Sequence, residues 1–422
     1  MLDIFKQDHP KGLYLLFFVE MWERFSYYGM RALIVLYMVQ TLMYSTQKAG
    51  NIYGLYTGFV YLTPLLGGYL ADRYLGQRRC VSVGALLMVC GLFLLASKVE
   101  FLFLFALFLM VIANGFFKSN ISSILGLLYG DNNDKKDSAF TIFYMGINLG
   151  AFFSPLVCGT LAVKYGYEYG FATAGVGMLI GFVLYKIFEN KLLGDIGLSP
   201  VKLEKEECNN NDKNGQSIFA LLLLMLFTIP FWVCFEQAGS SLTLFAQYST
   251  NRELLDFQIP TEYFQSLNPL FIILFAPLMS LLWGWLSKQS KEPTSVEKFV
   301  GALFLISLAY VVMAFAGYLS VGGKVSFLWL VFAYFIMTIA ELCLSPIGLS
   351  LVSKLAPKAC LSLLMGCWFL TSFVGNLFAG IWGGMFETLS PLKLFGVLAV
   401  LSLVSGGLLL IFVPKLNKIL EE

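Results

Sequence analysis

Four charged residues stand inside one apolar run near the start of this chain. The stretch from Phe18 to Leu36, FVEMWERFSYYGMRALIVL, has the length of a membrane-spanning helix. Such a helix needs about 20 residues, rising about 1.5 Å each, to cross a hydrocarbon core of about 30 Å. The run nevertheless carries Glu20, Glu23, Arg24 and Arg31, with Tyr27 and Tyr28 among them. At about 100° per residue, positions 20, 23, 24, 27, 28 and 31 fall on one side of a helix. A charge at mid-bilayer costs about 2.5–3.5 kcal/mol on insertion scales, so this stripe cannot face lipid. It must face other helices or a wet cavity.

The rest of the chain places that helix in company. Of 422 residues, 58% are hydrophobic and 13% charged, where a soluble protein carries nearer a quarter charged. Apolar segments long enough to span fall at 12–40, 50–71, 79–98, 101–129, 137–163, 167–188, 216–247, 262–287, 298–320, 326–353, 359–386 and 392–414. The spacing thus predicts twelve transmembrane helices. The one long polar interruption, 189–215, contains KLEKEECNNNDKNG and reads as a flexible linker. It divides a six-helix bundle at 1–188 from another at 216–422. With the N-terminus inside, nineteen Lys and Arg lie in cytoplasmic segments and six in outer loops, the other three of the 28 being within spans. That bias predicts cytoplasmic termini and linker.

Composition also excludes. A net charge of +2 argues against a nucleic-acid partner. The single histidine, His9, precedes the first span, so neither a histidine metal site nor a histidine acid–base site is expected. The eight cysteines lie mostly in apolar runs without CxxC or zinc-type spacing, and read as packing residues. No HExxH, GxSxG or paired-Asp arrangement suggests an enzyme. No cofactor is expected. The first apolar run is too long and too charged for a cleavable signal peptide.

Seven ionisable groups lie well inside spans: Glu20, Glu23, Arg24, Arg31, Lys118, Glu236 and Glu341. Inserted unpaired they would cost on the order of 20 kcal/mol, and buried ion pairs at best roughly break even with apolar packing. So many charges point to function. Four acids against three bases leave one carboxylate as the natural place for a proton. The first five sum to +1 and the last two to −2, a polarity that suits a zwitterion at the midplane. Tyr27, Tyr28, Tyr61, Asn148, Trp232, Asn268 and Trp368 accompany them, offering apolar walls and amide partners. Two six-span halves with a midplane site describe the major facilitator architecture. The turn GGYLADRYLGQRR at 67–79 resembles that superfamily's signature, with Asp72 and Arg73 placed to latch neighbouring helices on the cytoplasmic side.

More specific stretches then accumulate. Residues 20–29, EMWERFSYYG, resemble the ExxERFxYYG signature of the proton-dependent oligopeptide transporter (POT) family, and FFKSN at 116–120 resembles its FFKPN stretch. FYMGINLG at 143–150, FEQAGSS at 235–241, FQSLNP at 264–269, ELCLSP at 341–346 and MGCWFLT at 365–371 continue the likeness along nearly the whole chain. The resemblance implies a proton-driven symporter that imports di- and tripeptides by alternating access through the cell's inner (plasma) membrane as a monomer. It implies proton coupling by Glu20, Glu23 and Arg24. Lys118 would meet both that motif and the peptide carboxylate, and Arg31 with Glu236 would form a gating pair between the halves. Glu341 would receive the peptide amino group, and Asn148 and Asn268 its backbone. Tyr27, Tyr28, Tyr61, Trp232 and Trp368 would form pocket walls. Ser119 departs from the family's Pro, which would alter the bend of span 4, and the linker is too short for the two extra helices of many bacterial members. Transport of nitrate or another small solute is the alternative within the fold, opposed by the acid Glu341. A peptide receptor without transport is the alternative outside it.

Overall fold

The charged run folds as a helix. In the computed structural model, which describes residues 9–130, 133–200, 212–355 and 361–420, α1 extends unbroken over Lys11–Gln40. It is followed by α2 (Thr46–Leu70), α3 (Gln77–Leu95), α4 (Glu100–Tyr129), α5 (Asn133–Tyr165) and α6 (Tyr167–Leu193). Beyond lie α7 (Asp212–Phe235), the short α8 (Ser241–Tyr248), α9 (Leu267–Lys288), α10 (Ser295–Leu319), α11 (Leu328–Leu342), α12 (Ser345–Leu355), α13 (Leu361–Gly383) and α14 (Pro391–Leu420). Among the described residues, ten helical segments are long and apolar enough to cross a membrane; α7 with α8 and α11 with α12 each count as one. α1 and α2 reach the length, at 30 and 25 residues, but not the apolarity, because of the charges of one and the Gly, Thr and Tyr content of the other. The chain is an all-α, multi-pass membrane protein. Side chains such as Phe101, Leu281 and Ile411 turn outward, as a bilayer solvent requires. Most of the expected linker, 201–211, lies outside the described residues. Its beginning continues α6 as far as Leu193.

Contacts divide the chain into two compact units: Met1–Tyr37 with Phe59–Glu204, and Met38–Gly58 with Lys205–Glu422. The boundaries fall in the last turn of α1, within α2 and between α6 and α7.

In the first unit α3 packs on α4 and α6, and α5 on α6. Small residues let α1 lie close. A Cβ on Gly150 of α5 would stand 2.2 Å from the Met21 carbonyl oxygen, and one on Gly177 of α6 would stand 2.7 Å from the Phe25 ring. Ser26 Oγ donates to the Ala174 carbonyl at 2.7 Å. The segment Phe59–Leu70 of α2 meets α4 in the same way, since a Cβ on Gly67 would stand 1.9 Å from the Gly115 carbonyl oxygen. Hydrogen bonds from Thr63 to Val111 O (2.9 Å) and from Ser119 to Pro64 O (3.2 Å) fix the register. α4 continues unbroken past Ser119 as one 30-residue helix.

The end of α2 winds into a π-helical turn, Ala71–Leu75, and stops at Gly76. Gly76 has φ +79°, and a Cβ there would stand 2.4 Å from the Leu198 carbonyl oxygen. Only glycine fits such a corner. The next residue but one, Arg78, is buried. Its guanidinium donates to Gly194 O (2.6 Å) and Asn190 Oδ1 (2.5 Å) and lies 3.4 Å from Glu189, so it caps the carboxyl end of α6.

In the second unit α10 packs on α11 and α14, and α7 on α13 and α14. Its core includes Tyr310, whose hydroxyl donates to Cys234 O at 2.6 Å. The Met38–Gly58 part of α2 belongs here because glycines bring it onto α13. A Cβ on Gly54 would stand 2.8 Å from the Asn376 carbonyl oxygen, and one on Gly380 would stand 2.5 Å from the Gly54 Cα. Two helices break. α7 passes through a 3-10 turn, Glu236–Gly239, into α8, and α11 ends at Leu342 just before Ser345 and Pro346 start α12. Two short strands, β1 (Thr250–Asn251) and β4 (Val325–Ser326), pair in parallel, and β2 (Glu253–Leu254) with β3 (Phe257–Gln258) forms a hairpin.

Candidate functional site

The stripe on α1 is buried inside protein. Glu20, Glu23, Arg24, Tyr27 and Arg31 are all buried, and Tyr28 is half-buried. Arg24 lies between the two acids: its Nε is 3.0 Å from Glu20 Oε1 and pairs with Glu23. The helix imposes this arrangement, because residues at i, i+3 and i+4 share a face. The Arg24 guanidinium lies 5.6 Å from the Tyr27 ring centre, that of Arg31 lies 5.8 Å from Tyr28, and the two tyrosines meet edge to face. From α4, Lys118 places its ammonium 4.4 Å above the Tyr61 ring of α2, and its field reaches both Glu20 and Glu23. Glu20 Oε2, Glu23 Oε1 and Arg24 Nη2 are buried without a hydrogen-bond partner among the described residues. Two acids and the Arg24 guanidinium are therefore held in low dielectric with incomplete hydrogen bonding, beside the partly buried Lys118. Asn148 on α5 is buried, its amide donating to Tyr144 O at 2.9 Å.

In the second unit the polar residues gather at the helix breaks. Glu341 lies in the last turn of α11, and the Asn268 amide at the start of α9 donates to its Oε2 at 2.8 Å and to Thr338 at 3.2 Å. Glu236 is buried in the 3-10 turn after α7. Its neighbour Gln237 ties that turn down by donating to Val233 O and Ala379 O, both at 3.1 Å. Trp232 packs edge to face on Phe231 and Phe235, with its indole N–H buried and without a hydrogen-bond partner among the described residues. Trp368 is buried against Gly348 and Phe299.

Asp72 and Arg73 take separate local partners. Asp72 accepts from Gln77 at 2.8 Å within its own turn, and Arg73 is exposed beside Tyr69 and Tyr74. The buried arginine of that turn is Arg78, which sequence reasoning counted as an ordinary loop cation. His9 is also better engaged than its position suggests, with Nδ1 2.8 Å from the Tyr129 hydroxyl and Nε2 3.2 Å from that of Ser138. Asn114, one turn before Lys118, is fully buried with neither amide atom hydrogen-bonded among the described residues. An asparagine inside an apolar helix was the available signal.

Buried ionisable groups inside a multi-pass membrane protein mark a functional site, and the proteins this chain resembles are transporters. The sequence matches the POT family over residues 78–190 and 199–395, and the chain belongs to that family. It is 34% identical to the peptide transporter YePEPT of Yersinia enterocolitica, covering 89% of this chain and 88% of the relative. It is 33% identical to the uncharacterized transporter YclF of Bacillus subtilis, covering 98% and 95%. The fold superposes with a TM-score of 0.91 on a crystal structure of a mutant peptide transporter POT in complex with alafosfalin, at 34% identity over 97% of this chain and 96% of that one.

Proposed function

We propose that this protein is a proton-coupled symporter importing di- and tripeptides by alternating access, in the plasma membrane with both termini cytoplasmic. The observation that carries the reading is the buried set Glu20, Glu23 and Arg24 in the first unit, with the partly buried Lys118 of α4 beside it. Such a set has no structural economy, because desolvation offsets the attraction within buried pairs. A protonatable switch gives it a purpose. Protonation of one carboxylate lets Arg24 or Lys118 turn to a peptide carboxylate, and deprotonation takes the cation back. The acid Glu341, oriented by Asn268, suits the peptide ammonium and opposes an anionic substrate. The names of the relatives YePEPT and the alafosfalin-bound POT support a peptide substrate. Uptake of a labelled dipeptide into liposomes under an imposed inward proton gradient tests the reading. Accumulation that collapses with the gradient is expected, and uptake indifferent to the gradient overturns the coupling.

A further inference from the structure

One buried carboxyl stands apart from all those above. Glu262 lies in the 3-10 turn Thr261–Ser266 that leads into α9, and only 2% of it is exposed. Its Oε2 is buried without a hydrogen-bond partner among the described residues. The turn packs against α8 and α9. α8 offers Thr243, Gln247 and Tyr248, and the start of α9 offers Asn268, none of them charged at neutral pH. Thr243 and Gln247 are engaged by the turn's other polar residues, Gln265 at 3.2 Å and Thr261 at 2.5 Å. Across the adjoining β2–β3 hairpin, Glu253 and Asp256 are exposed. Among the described residues, the charged group that acts on the carboxyl is Arg252. Arg252 is partly exposed and donates to the Ile259 carbonyl at 2.8 Å.

A carboxylate with a buried, unpartnered oxygen is poorly solvated, whereas a carboxylic acid fits the same place. A half-exposed arginine on a hairpin can supply the missing counter-charge by a side-chain rotation. We propose that Glu262 is a second proton-binding site of this transporter, loaded and unloaded at the start of α9, with Arg252 as the cation that takes the carboxylate when the proton leaves. Its role in the cycle rests on the proton-coupled reading above; its protonation does not. Gln265 and Asn268 continue the polar face from Glu262 into α9, where Asn268 holds Glu341, so the site lies on the element that orients the proposed ammonium receptor.

The test uses the full chain reconstituted in liposomes as wild type, Glu262→Gln and Arg252→Gln. Infrared difference spectra between about pH 5 and about pH 9 read protonated carboxyl directly. Dipeptide counterflow at equal pH on both faces reads the cycle without a gradient. The expected result is a protonated-carbonyl band that fades as pH rises, is missing in Glu262→Gln, and fades about half a unit to one unit higher in Arg252→Gln. The upward shift follows because removing a cation favours the neutral acid. Counterflow in Glu262→Gln is expected to lose one pH-dependent step. A band that Glu262→Gln leaves intact, or one that never titrates, overturns the proposal. A titrating band in a wild type whose uptake ignores proton gradients upholds the site and counts against the coupled-transport reading.

Discussion

Asn268 donates a 2.8 Å hydrogen bond to Glu341 across the gap between the start of α9 and the last turn of α11. The bond fixes the carboxylate beside a helix break. Glu341→Gln is therefore expected to weaken dipeptide binding roughly tenfold to a hundredfold, the range of a charge-assisted hydrogen bond of about 1.5–3 kcal/mol. An N-acetylated dipeptide, which has no ammonium, is expected to bind wild type and variant alike. Competition binding measures both, and equal loss for both ligands would reject the assignment.

Glu236 interrupts α7 in a buried 3-10 turn. Glu236→Gln keeps the shape and removes the carboxylate, so it is expected to sustain counterflow exchange while losing gradient-driven accumulation. Paired liposome assays decide; parallel loss of both activities would place Glu236 outside the coupling machinery.

Two glycine-to-alanine changes are expected to behave oppositely. A Cβ at Gly380 would stand 2.4 Å from the Gly50 carbonyl oxygen, so α2 or α13 must shift to admit it. That is overpacking against backbone, with an expected cost of about 1–3 kcal/mol and a lower melting temperature. Gly301 in α10 has nothing within 4 Å, and alanine there is expected to be neutral or stabilising by up to about 1 kcal/mol. Melting of the purified protein in detergent distinguishes them; similar midpoints would show that the helix contact is looser than these distances require.

Arg78→Lys preserves charge but not the planar fork that reaches Gly194 and Asn190 together. A loss of about 1–3 kcal/mol is expected, since buried acceptors at the end of α6 lose their donors. Earlier proteolysis in the stretch after Leu193 would report it, and unchanged cleavage would contradict it.

Ser119 donates to the Pro64 carbonyl and ties α4 to α2. Ser119→Ala is expected to lower stability by about 0.5–1.5 kcal/mol, the net worth of one hydrogen bond, without changing peptide preference. Thermal melting combined with a peptide competition panel checks both halves of that statement.

The sequence alone determined that the chain lives in a membrane, how its charges space along each helix, and which family it belongs to. Hydropathy, the helical repeat and contiguous motifs are local properties, and they put Glu20, Glu23 and Arg24 on one face before any coordinates were known. Tertiary structure decided the partners. Asn268 and Glu341 are 73 residues apart, and nothing in either local sequence announces their bond. Asp72 and Arg73, the obvious charges of their turn, keep local company, while Arg78 takes the buried role because its helix starts opposite the end of α6. Glu262 escaped notice because it begins an apolar run and so resembles a boundary residue; only its burial reveals it. Hydrogen bonds and desolvation depend on what surrounds a side chain, and that environment is assembled by packing between distant segments.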